Sequence, residues 1–419
     1  MRLAERPAPP ASEVIGRLHP PEVVVDEAGL LALRPEWDAL HEAADFAGGP
    51  SFNPFMQWSW TWSWWLANSR AKRSLRQPRY RLHVLVFRDS RGTARAILPL
   101  VEARWGVGRV ALRALRLFGF GPCTTDLRAP IVATGWEGSA ADAIARHLAE
   151  NPGGNDIIIL DGLAAGDQLT NRLSDWARSE GWSWGPAVPS HLVDLPPDWR
   201  TFRSGLRGHI RKSVRHGYNS LARDGHTWQF EVVDDVPQLD DVLSAFFRLH
   251  AARSSRRVRP RHTNYYAREA DRETLRLVAR ELAPEGRFAA ARLRVDGRVV
   301  AIRLVLLGQD VVYLHDAGAE NDWSKYAVAT TLTAECLRWA IERGARWAHL
   351  GTGIDPSKTR WQGKIRQLHR LQIVAPTASG RALVAASYLP RLARGFSLVT
   401  APFLALEAEG LAELALPWF

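Results

Sequence analysis

The clearest pattern of apolar and polar positions lies in residues 287–364, which open with three apolar runs. The runs cover residues 288–295, 298–307 and 311–318, and Asp296-Gly297 separates the first two. An Asp-Gly pair between β-rich runs is a strong hairpin signal, because glycine accepts a positive φ without strain. The pattern therefore predicts a three-stranded antiparallel meander.

The apolar period changes after this meander. Apolar residues recur every four positions over residues 324–343, which predicts a helix with one buried face that ends at Gly344. A short apolar run at 346–350 then predicts a strand that leads into Gly351-Thr352-Gly353. A meander followed by a helix and a crossover strand predicts a mixed, mostly antiparallel sheet flanked by helices, of the α/β (α+β) class.

A similar order of elements occurs earlier in the chain. We predict, in sequence, a strand at 22–25, a helix at 30–44, a hairpin at 81–87 and 94–102, a helix at 138–149, a strand at 157–160, a helix at 167–179 and a strand at 191–195. Hairpin, loop, helix and strand recur from residue 287 onward, although residue identity between the two parts is low. This repeat in order predicts two tandem α/β domains.

The predicted domain limits follow from these elements. The proline-rich residues 1–20 are expected to form a disordered leader, and residues 21–200 the first domain. Residues 201–378 are expected to form the second, catalytic domain. Residues 379–419 have apolar positions at helical spacing and predict a helical tail.

Composition narrows the partners. Fifty-five Lys and Arg against 44 Asp and Glu give a net charge of +11, which favours anionic partners such as CoA phosphates, nucleic acid or a phospholipid surface. The two cysteines, Cys123 and Cys336, lie far apart and have no metal-type spacing, so we expect no metal and no disulfide framework. No signal peptide and no transmembrane run is visible, so we expect a cytoplasmic protein of unknown oligomeric state.

A basic stretch joins the two predicted domains. Arg203, Arg207, Arg211 and Arg215 recur every four residues within 201–223, where no acidic residue occurs. On one helix these residues form a stripe of like charges, which is costly unless anions or carboxylates neutralise it. Two interpretations are open: a contact with nucleic acid or another anion, and ion pairs with the neighbouring domain. We favour the second.

Short motifs in the second half resemble those of a known family. They are Tyr313-Leu314-His315-Asp316, Lys325-Tyr326-Ala327-Val328-Ala329, Leu350-Gly351-Thr352-Gly353 and Lys358-Thr359-Arg360-Trp361. Together they resemble the CelD-like branch of the GNAT acyltransferases, which is related to the FemAB peptidoglycan aminoacyltransferases. Two departures stand out: Ala327-Val328-Ala329 replaces a Ser-Pro-Gly turn, and Gly351 stands where an acidic residue is common.

The resemblance implies a tandem GNAT-like fold and assigns a set of site residues. The helix start would bind the phosphates of acetyl-CoA or another acyl-CoA through Lys325, Tyr326, Ala327, Val328, Ala329 and Thr330. The expected catalytic residues are His315, Asp316 and Lys358. Because side chains alternate along a strand, we expect only one of His315 and Asp316 to face the cleft.

Three further residues are expected to contact the acceptor. Arg253 begins a basic loop where the family binds its acceptor, and Trp361 can stack on the acceptor from the end of the last strand. Trp64 lies in an aromatic stretch at 53–65 that resembles the family's first helix. Aromatic side chains at helical spacing favour a buried core for Trp64 over a wall of the acceptor cleft.

The resemblance therefore predicts an N-acyltransferase that moves an acetyl or acyl group from acyl-CoA to a primary amine. The expected acceptor is an amino sugar or an envelope or exopolysaccharide precursor. One alternative is a FemAB-like transferase that takes its acyl group from aminoacyl-tRNA, with the arginine stripe as the RNA contact. The other is a catalytically degenerate module that binds polyanions.

Overall fold

The computed structural model describes residues 16–44, 52–71, 78–105, 112–120, 125–151, 154–255, 263–377 and 380. The predicted leader at 1–20 therefore lies outside the described residues up to residue 15. The predicted tail at 379–419 lies outside them except for Gly380. No helix in the described ranges is long and apolar enough to cross a membrane.

The first sheet has the strand order β1-β2-β3-β4-β6-β15-β7, and the short β5 pairs with β3. Its strands are β1 (Glu22–Val24), β2 (Arg79–Arg88), β3 (Ala94–Trp105), β4 (Leu112–Leu117), β5 (Ile131–Val132), β6 (Ile157–Ala164), β7 (Ser183–Pro186) and β15 (Leu368–Val374). Its helices are α1 (Glu27–Ala32), α2 (Arg34–Ala43), α3 (Trp58–Ser69), α4 (Glu137–Glu150) and α5 (Gln168–Ser179). Helices α1 to α3 cover one face of this sheet, and α4 and α5 cover the other.

The second sheet has the order β14-β8-β13-β12-β11-β10-β9. Its strands are β8 (Ser190–Asp194), β9 (Trp228–Val233), β10 (Phe288–Val295), β11 (Arg298–Leu307), β12 (Val311–Ala319), β13 (Trp347–Thr352) and β14 (Lys364–Arg366). Its helices are α6 (Trp199–Gly205), α7 (Gly208–Arg223), α8 (Leu239–Ser254), α9 (Glu269–Leu282), α10 (Val328–Glu342) and α11 (Pro356–Thr359). Helices α6, α7 and α10 cover one face, and α8 and α9 cover the other.

The predicted meander is confirmed, and its turn shows why. Asp296 and Gly297 both have positive φ, 48° and 78°, as a two-residue turn between twisted strands requires. Along β10 the side chains alternate between two cores, with Ala289 in one and Phe288 in the other. The predicted mixed α/β class, with two sheets flanked by helices, is also confirmed.

Two strands cross between the expected halves. We assigned the strand at 191–195 to the first α/β unit, but β8 pairs with β13 and β14 of the second sheet. Strand β15, near the end of the described chain, pairs with β6 and β7 of the first sheet. An apolar run predicts a strand but not the strand with which it pairs, so the local pattern could not predict this exchange.

Several helix limits also differ from the predictions. The basic stretch at 201–223 is not one continuous helix, because Leu206 has extended backbone between α6 and α7. Two helices, α1 and α2, occupy the region where one helix was predicted over 30–44. The second helix begins at Arg34, with Pro35 in its first turn. The helix predicted over 324–343 starts only at Val328, after a short 3-10 turn (Ser324–Tyr326).

Candidate active site

A gap between β12 and β13 is the centre of the candidate site. These parallel strands pair only at Val311↔Trp347, Val312↔Ala348 and Tyr313↔His349, and they diverge beyond that point. A cavity of about 110 Å³ lies in the gap, and a second of about 50 Å³ continues it to the first turn of α10. Both cavities are lined by Arg253, Arg303, Ala317, Thr333, Ser357 and Trp361.

A β-bulge brings His315 and Asp316 to the same side of β12. In the ladder with β11, Val305 pairs with Leu314 but Arg303 pairs with Ala317, so two residues lie opposite one. Such a bulge breaks the alternation of side chains. Both His315 and Asp316 therefore line the larger cavity, and the expectation that only one would face it is wrong.

A carboxylate from the first half of the chain orients His315. The His315 Nδ1 lies 3.1 Å from Asp126 Oδ2, and Thr352 Oγ1 donates to Asp126 Oδ1 at 2.9 Å. An anionic acceptor at Nδ1 favours the tautomer that carries its proton there, which leaves a lone pair on Nε2. Among the described residues Nε2 has no hydrogen-bond partner, and Asp316 Oδ2 lies 4.0 Å away.

The two carboxylates decide the protonation of this imidazole. Burial alone lowers the pKa of His315, but the nearby charge of Asp316 and the hydrogen bond with Asp126 outweigh it and raise the pKa. Burial likewise opposes ionisation of Asp126, yet its contacts with His315 and the charge of Lys358 hold its pKa below the usual range. The pair is therefore an ionised carboxylate beside an imidazole of increased basicity.

Residues of α8 and of the segment before α9 cover the gap on the other side. Tyr266 donates its hydroxyl proton to Asp316 Oδ2 at 2.7 Å. The Nη1 of Arg253 donates to Ala317 O at 3.3 Å, and His250 Nδ1 lies 3.2 Å from the same oxygen. These contacts hold the bulged part of β12 against α8.

Close packing at Gly318 brings α8 near enough for these contacts. A Cβ at Gly318 would lie 2.5 Å from the backbone nitrogen of His250. No larger residue fits there without moving the helix. The predicted substrate residue Arg253 is therefore part of the site, although it also serves as a structural donor to β12.

Lys358 and Trp361 have different surroundings. The Lys358 Nζ donates to the carbonyl of Thr352, lies 3.9 Å from Asp355 Oδ2 and lines the larger cavity. Trp361 also lines both cavities, but it is only 1% exposed and packs in the core beneath them. An acceptor can therefore meet the edge of Trp361 but cannot stack on its ring face without rearrangement.

The predicted cofactor residues divide into two groups. Ala329 and Thr330 line the smaller cavity, and Arg360 Nη1 donates to Thr330 Oγ1 at 2.9 Å. The remaining four do not line the described cavities: they are Lys325, Tyr326, Ala327 and Val328. Of the predicted cofactor residues, only Ala329 and Thr330 thus reach the gap, beside Arg360.

The four residues before that turn have structural surroundings. Lys325 is exposed and lies 4.6 Å over the Tyr326 ring. Tyr326 and Val328 are buried in the core of the second sheet. Ala327 has a φ of 54°, a left-handed conformation that glycine adopts more easily, and it directly precedes α10.

Trp64 lies in the core of the first half, away from the gap. It packs against Tyr80, Phe118 and Phe120. Its neighbour on the helix, Trp60, instead reaches the site, where its ring centroid lies 6.0 Å from that of His315. The aromatic stretch therefore contributes to the site through Trp60 and not through the predicted Trp64.

Sequence reasoning also missed Asp126 and Tyr266. Asp126 is 189 positions from His315, and Tyr266 is 50 positions from Asp316. Neither belongs to a short motif, so no local signal identified them. The departure at Gly351 has a spatial counterpart, because a Cβ at Gly351 would lie 3.2 Å from Asp126 Oδ2.

A third cavity, of about 510 Å³, lies between the two sheets, on the other side of Asp126 from the gap. It is lined by His349, Arg366 and Arg128 among others, and it contains none of the predicted site residues. Burial lowers the pKa of His349 to about 3, so this imidazole is neutral, and its Nδ1 accepts a hydrogen bond from Gly351. The cavity with the greatest volume of the three is therefore not the one that contains the predicted catalytic residues.

The arginine stripe is solvent-exposed. Among the described residues, Arg203, Arg207, Arg211 and Arg215 form no ion pair with a carboxylate, so the expectation of ion pairs with the neighbouring domain is wrong. Arg211 instead donates to the carbonyls of Ser204 and Leu206, each at 2.8 Å, and so joins α6 to α7. Within the described part of the chain, the other three arginines contact no carboxylate, and all three are exposed to solvent.

Comparisons with known proteins agree with this geometry. Residues 208–359 match the family described as "Acetyltransferase (GNAT) domain". The fold is similar to that of FemX, with a TM-score of 0.56 at 10% identity over 84% of this chain and 98% of that one. A comparison with curated proteins finds no match.

Two other solved structures align with lower scores. L-PGS from Bacillus licheniformis has a TM-score of 0.46 at 14% identity, over 91% of this chain and 99% of that one. A tandem GNAT protein from the clavulanic acid biosynthesis pathway has 0.45 at 12%, over 85% and 99%. The predicted tandem GNAT-like fold is confirmed, and the match to the GNAT acetyltransferase family model lies in its second half.

Proposed function

We propose that the protein is an N-acyltransferase that moves an acetyl or other acyl group from acyl-CoA to a primary amine in the cytoplasm. The observation that carries this proposal is the open gap between β12 and β13. One end of the gap holds the Nε2 of His315, which is buried and has no hydrogen-bond partner among the described residues, and the other end reaches the first turn of α10. A base and an anion-binding helix start then lie along one channel.

The gap supplies the groups that aminolysis of a thioester needs. In the reaction the amine nitrogen forms a C–N bond and the C–S bond breaks. His315 Nε2 takes the proton that the amine loses, and the departing thiolate takes up a proton when it leaves. Asp316, held by Tyr266, stabilises the positive charge that develops on the neutral amine nitrogen as the C–N bond forms.

The donor end is suited to phosphate groups. Ala327 caps α10 without a side-chain hydrogen bond, and no acidic residue lies in the first turn, so the positive end of the helix dipole is not neutralised. Arg360 adds a guanidinium beside Thr330. These features support a donor with a diphosphate, such as acyl-CoA.

Replacing Arg360 with alanine is expected to weaken acetyl-CoA binding by about 10- to 100-fold, because one charge-assisted contact contributes about 1.5–3 kcal/mol. Isothermal titration calorimetry measures the dissociation constant directly. Arg338→Ala is the matched control, since Arg338 lies on α10, the helix that Arg360 contacts through Thr330, but pairs with Glu342 on its exposed face. Equal affinities of the two variants would place the phosphates elsewhere.

The acceptor class follows from the resemblance and from the charges around the gap. Carboxylates of Asp316 and Asp355 line the larger cavity together with Arg253 and Lys358. Such a mixed lining suits an amine that also carries hydroxyl or anionic groups. We therefore keep an amino sugar or an envelope or exopolysaccharide precursor as the proposed acceptor.

A second candidate function is aminoacyl transfer from tRNA, which the exposed arginines of α7 favour. If they contact RNA, binding should fall steeply with salt, with a slope of about −0.7 to −0.9 per phosphate contact in a log–log plot. Changing Arg207 and Arg215 to Glu should then abolish binding of charged tRNA. Arg211 is unsuitable for this test because it joins two helices.

Filter binding at several salt concentrations measures this effect. Arg172→Glu, on the exposed surface of α5, is a control for non-specific charge. We expect no saturable tRNA binding, because a CoA donor needs only the few phosphate contacts near α10. Tight binding that the double variant loses would move the proposal to aminoacyl-tRNA.

A degenerate module that binds polyanions does not need a buried imidazole with an oriented tautomer, so it is less consistent with the site. Native mass spectrometry with acetyl-CoA and a panel of amines tests the main proposal. We expect a complex with acetyl-CoA and an acylated amine product. The absence of a complex with either acyl-CoA or charged tRNA would contradict both enzyme functions.

A further inference from the structure

The first half repeats the strand pattern that surrounds the candidate site. Strands β4 and β6 are parallel and pair only at Ala114↔Ile157, Leu115↔Ile158 and Arg116↔Ile159 before they diverge. This matches the three pairs between β12 and β13. The first half therefore has a gap of its own at the corresponding place.

The chain behaves differently at the two gaps. In the second half, β12 leaves its neighbour β11 only for the bulge at His315 and Asp316. In the first half, the chain leaves β3 after Leu117, which pairs with Leu100, and returns at Ile131, which pairs with Ile97. A long excursion thus stands where the second half has a two-residue bulge.

Part of this excursion, residues 125–130, crosses the first gap, and we call it the bridging segment. Arg128 spans the gap, since it donates to Gly119 O at 3.0 Å, just after β4, and to Asp161 Oδ2 at 3.1 Å, on β6. Its backbone is equally close, because a Cβ at Gly162 would lie 2.3 Å from Arg128 O. The gap is filled by the chain itself.

The other end of the bridging segment reaches the candidate site. Thr125 accepts a hydrogen bond from Trp60 Nε1 at 3.0 Å, and Asp126 meets His315 and Thr352. Only Leu127 therefore separates the arginine that closes one gap from the carboxylate that contacts the other. The short spacing ties the position of Asp126 to that of Arg128.

The large cavity beside the bridging segment does not restore a donor site to the first half. The start of α4 lies at its edge, but Glu137 occupies that helix start and accepts a hydrogen bond from Gly135 N. A carboxylate there repels phosphate, whereas the first turn of α10 has no acidic residue. The two helix starts thus differ in sign of local charge.

We infer that the bridging segment converts the first half from a second donor site into a support for the single site in the second half, and that Arg128 is a positioning residue that holds Asp126 against His315. This inference rests on the proposed function for its kinetic part. The placement of Asp126 by Arg128 is independent of any donor. The two parts are therefore tested by separate measurements.

The structural part is tested by NMR titration of the His315 imidazole in Arg128→Ala, without any ligand. Loosening Asp126 removes part of what raises the pKa of His315, so the midpoint should move to lower pH. Arg172→Ala, which removes an exposed ion pair from the same half, should leave the midpoint unchanged. If Arg128→Ala does not fold, Arg128→Lys keeps the charge but cannot span both partners, and a smaller shift in the same direction is expected.

The kinetic part is tested with acetyl-CoA. Arg128→Ala should lower kcat by up to about 10²-fold, as misplacement of a catalytic group by about 1 Å does, while KM for the donor stays unchanged. Native mass spectrometry should show one acetyl-CoA per chain, and Arg360→Ala should weaken that single site. Binding of two donors per chain would overturn the inference, and so would an unshifted His315 midpoint in folded Arg128 variants. If the midpoint shifts but no donor binds, only the proposed function is contradicted.

Discussion

Replacing His315 with glutamine is expected to lower kcat by about 10²- to 10⁴-fold, the usual contribution of a positioned general base. Glutamine can still donate to Asp126, so the carboxylate does not lose its partner. It has no basic nitrogen to take the proton of the amine. Steady-state kinetics with acetyl-CoA and a primary amine measure the loss, and calorimetry should show that the donor still binds.

The pH dependence gives this prediction its sign. The base acts only when His315 is neutral, and its pKa is raised by Asp316 and Asp126 against the effect of burial. Activity should therefore rise with pH through a midpoint above about 6.5. In Asp126→Asn that midpoint should move to lower pH, while the maximal rate also falls because the tautomer is no longer fixed.

His147→Gln serves as the control, because His147 lies on α4 and lines none of the described cavities. Its rate and pH profile should equal those of the unchanged protein. A His315→Gln variant with full activity would remove the imidazole from the mechanism. In that case Asp316 would become the candidate base.

Replacing Asp161 with alanine is expected to cost about 3–5 kcal/mol of the free energy of unfolding, the usual effect of breaking a buried charge cluster. The Asp161 carboxylate lies 3.1 Å from Arg128, 3.6 Å from Arg370 and 3.7 Å from Arg116. Its side chain is 5% exposed, so the loss leaves three guanidinium groups close together with little water. Urea denaturation at neutral pH measures the difference.

The same cluster predicts a pH dependence of stability. Burial opposes ionisation of Asp161, but Arg128, Arg116 and Arg370 hold its pKa below the ordinary value. A carboxyl with a lowered pKa stabilises the fold above about pH 3.9, and this contribution is lost as the pH falls through the folded-state pKa. The difference in free energy of unfolding between the unchanged protein and Asp161→Ala should therefore become smaller in acid.

Asp142→Ala is the matched control, since Asp142 pairs with Arg172 at the surface of the same half. Exposed pairs of this kind contribute about 0–1 kcal/mol. A loss for Asp161→Ala no larger than for Asp142→Ala would show that the three arginines find other partners. The bridging segment would then not depend on this carboxylate.

The sequence predicted those parts of the fold that are specified locally. The turn at Asp296-Gly297 and the apolar period of α10 each lie within a few residues, so both could be identified without knowing the rest. The strand exchange of β8 and β15 could not, because their apolar runs fit either sheet. Partner choice there depends on the edges that remain free when both sheets form.

The candidate site divides in the same way. A short motif identifies His315 and Asp316, but regular alternation along a strand would place their side chains on opposite faces. The bulge that brings them to one side cannot be recognised in the sequence. Asp126 depends on an excursion of the other half, and no periodicity describes such a segment. Trp361 was given an acceptor role from its place in a motif, whereas its burial decides most of its contacts.

The exchange of β8 and β15 also constrains how the protein can be made on the ribosome. Strand β8 lies between β13 and β14, whose residues are synthesised more than 150 positions later. The first sheet waits equally long for β15 to fill the place between β6 and β7. The second sheet cannot be completed before Arg366 has been made, nor the first before Val374, so the emerging protein must keep two unfinished β edges from pairing with other chains until then.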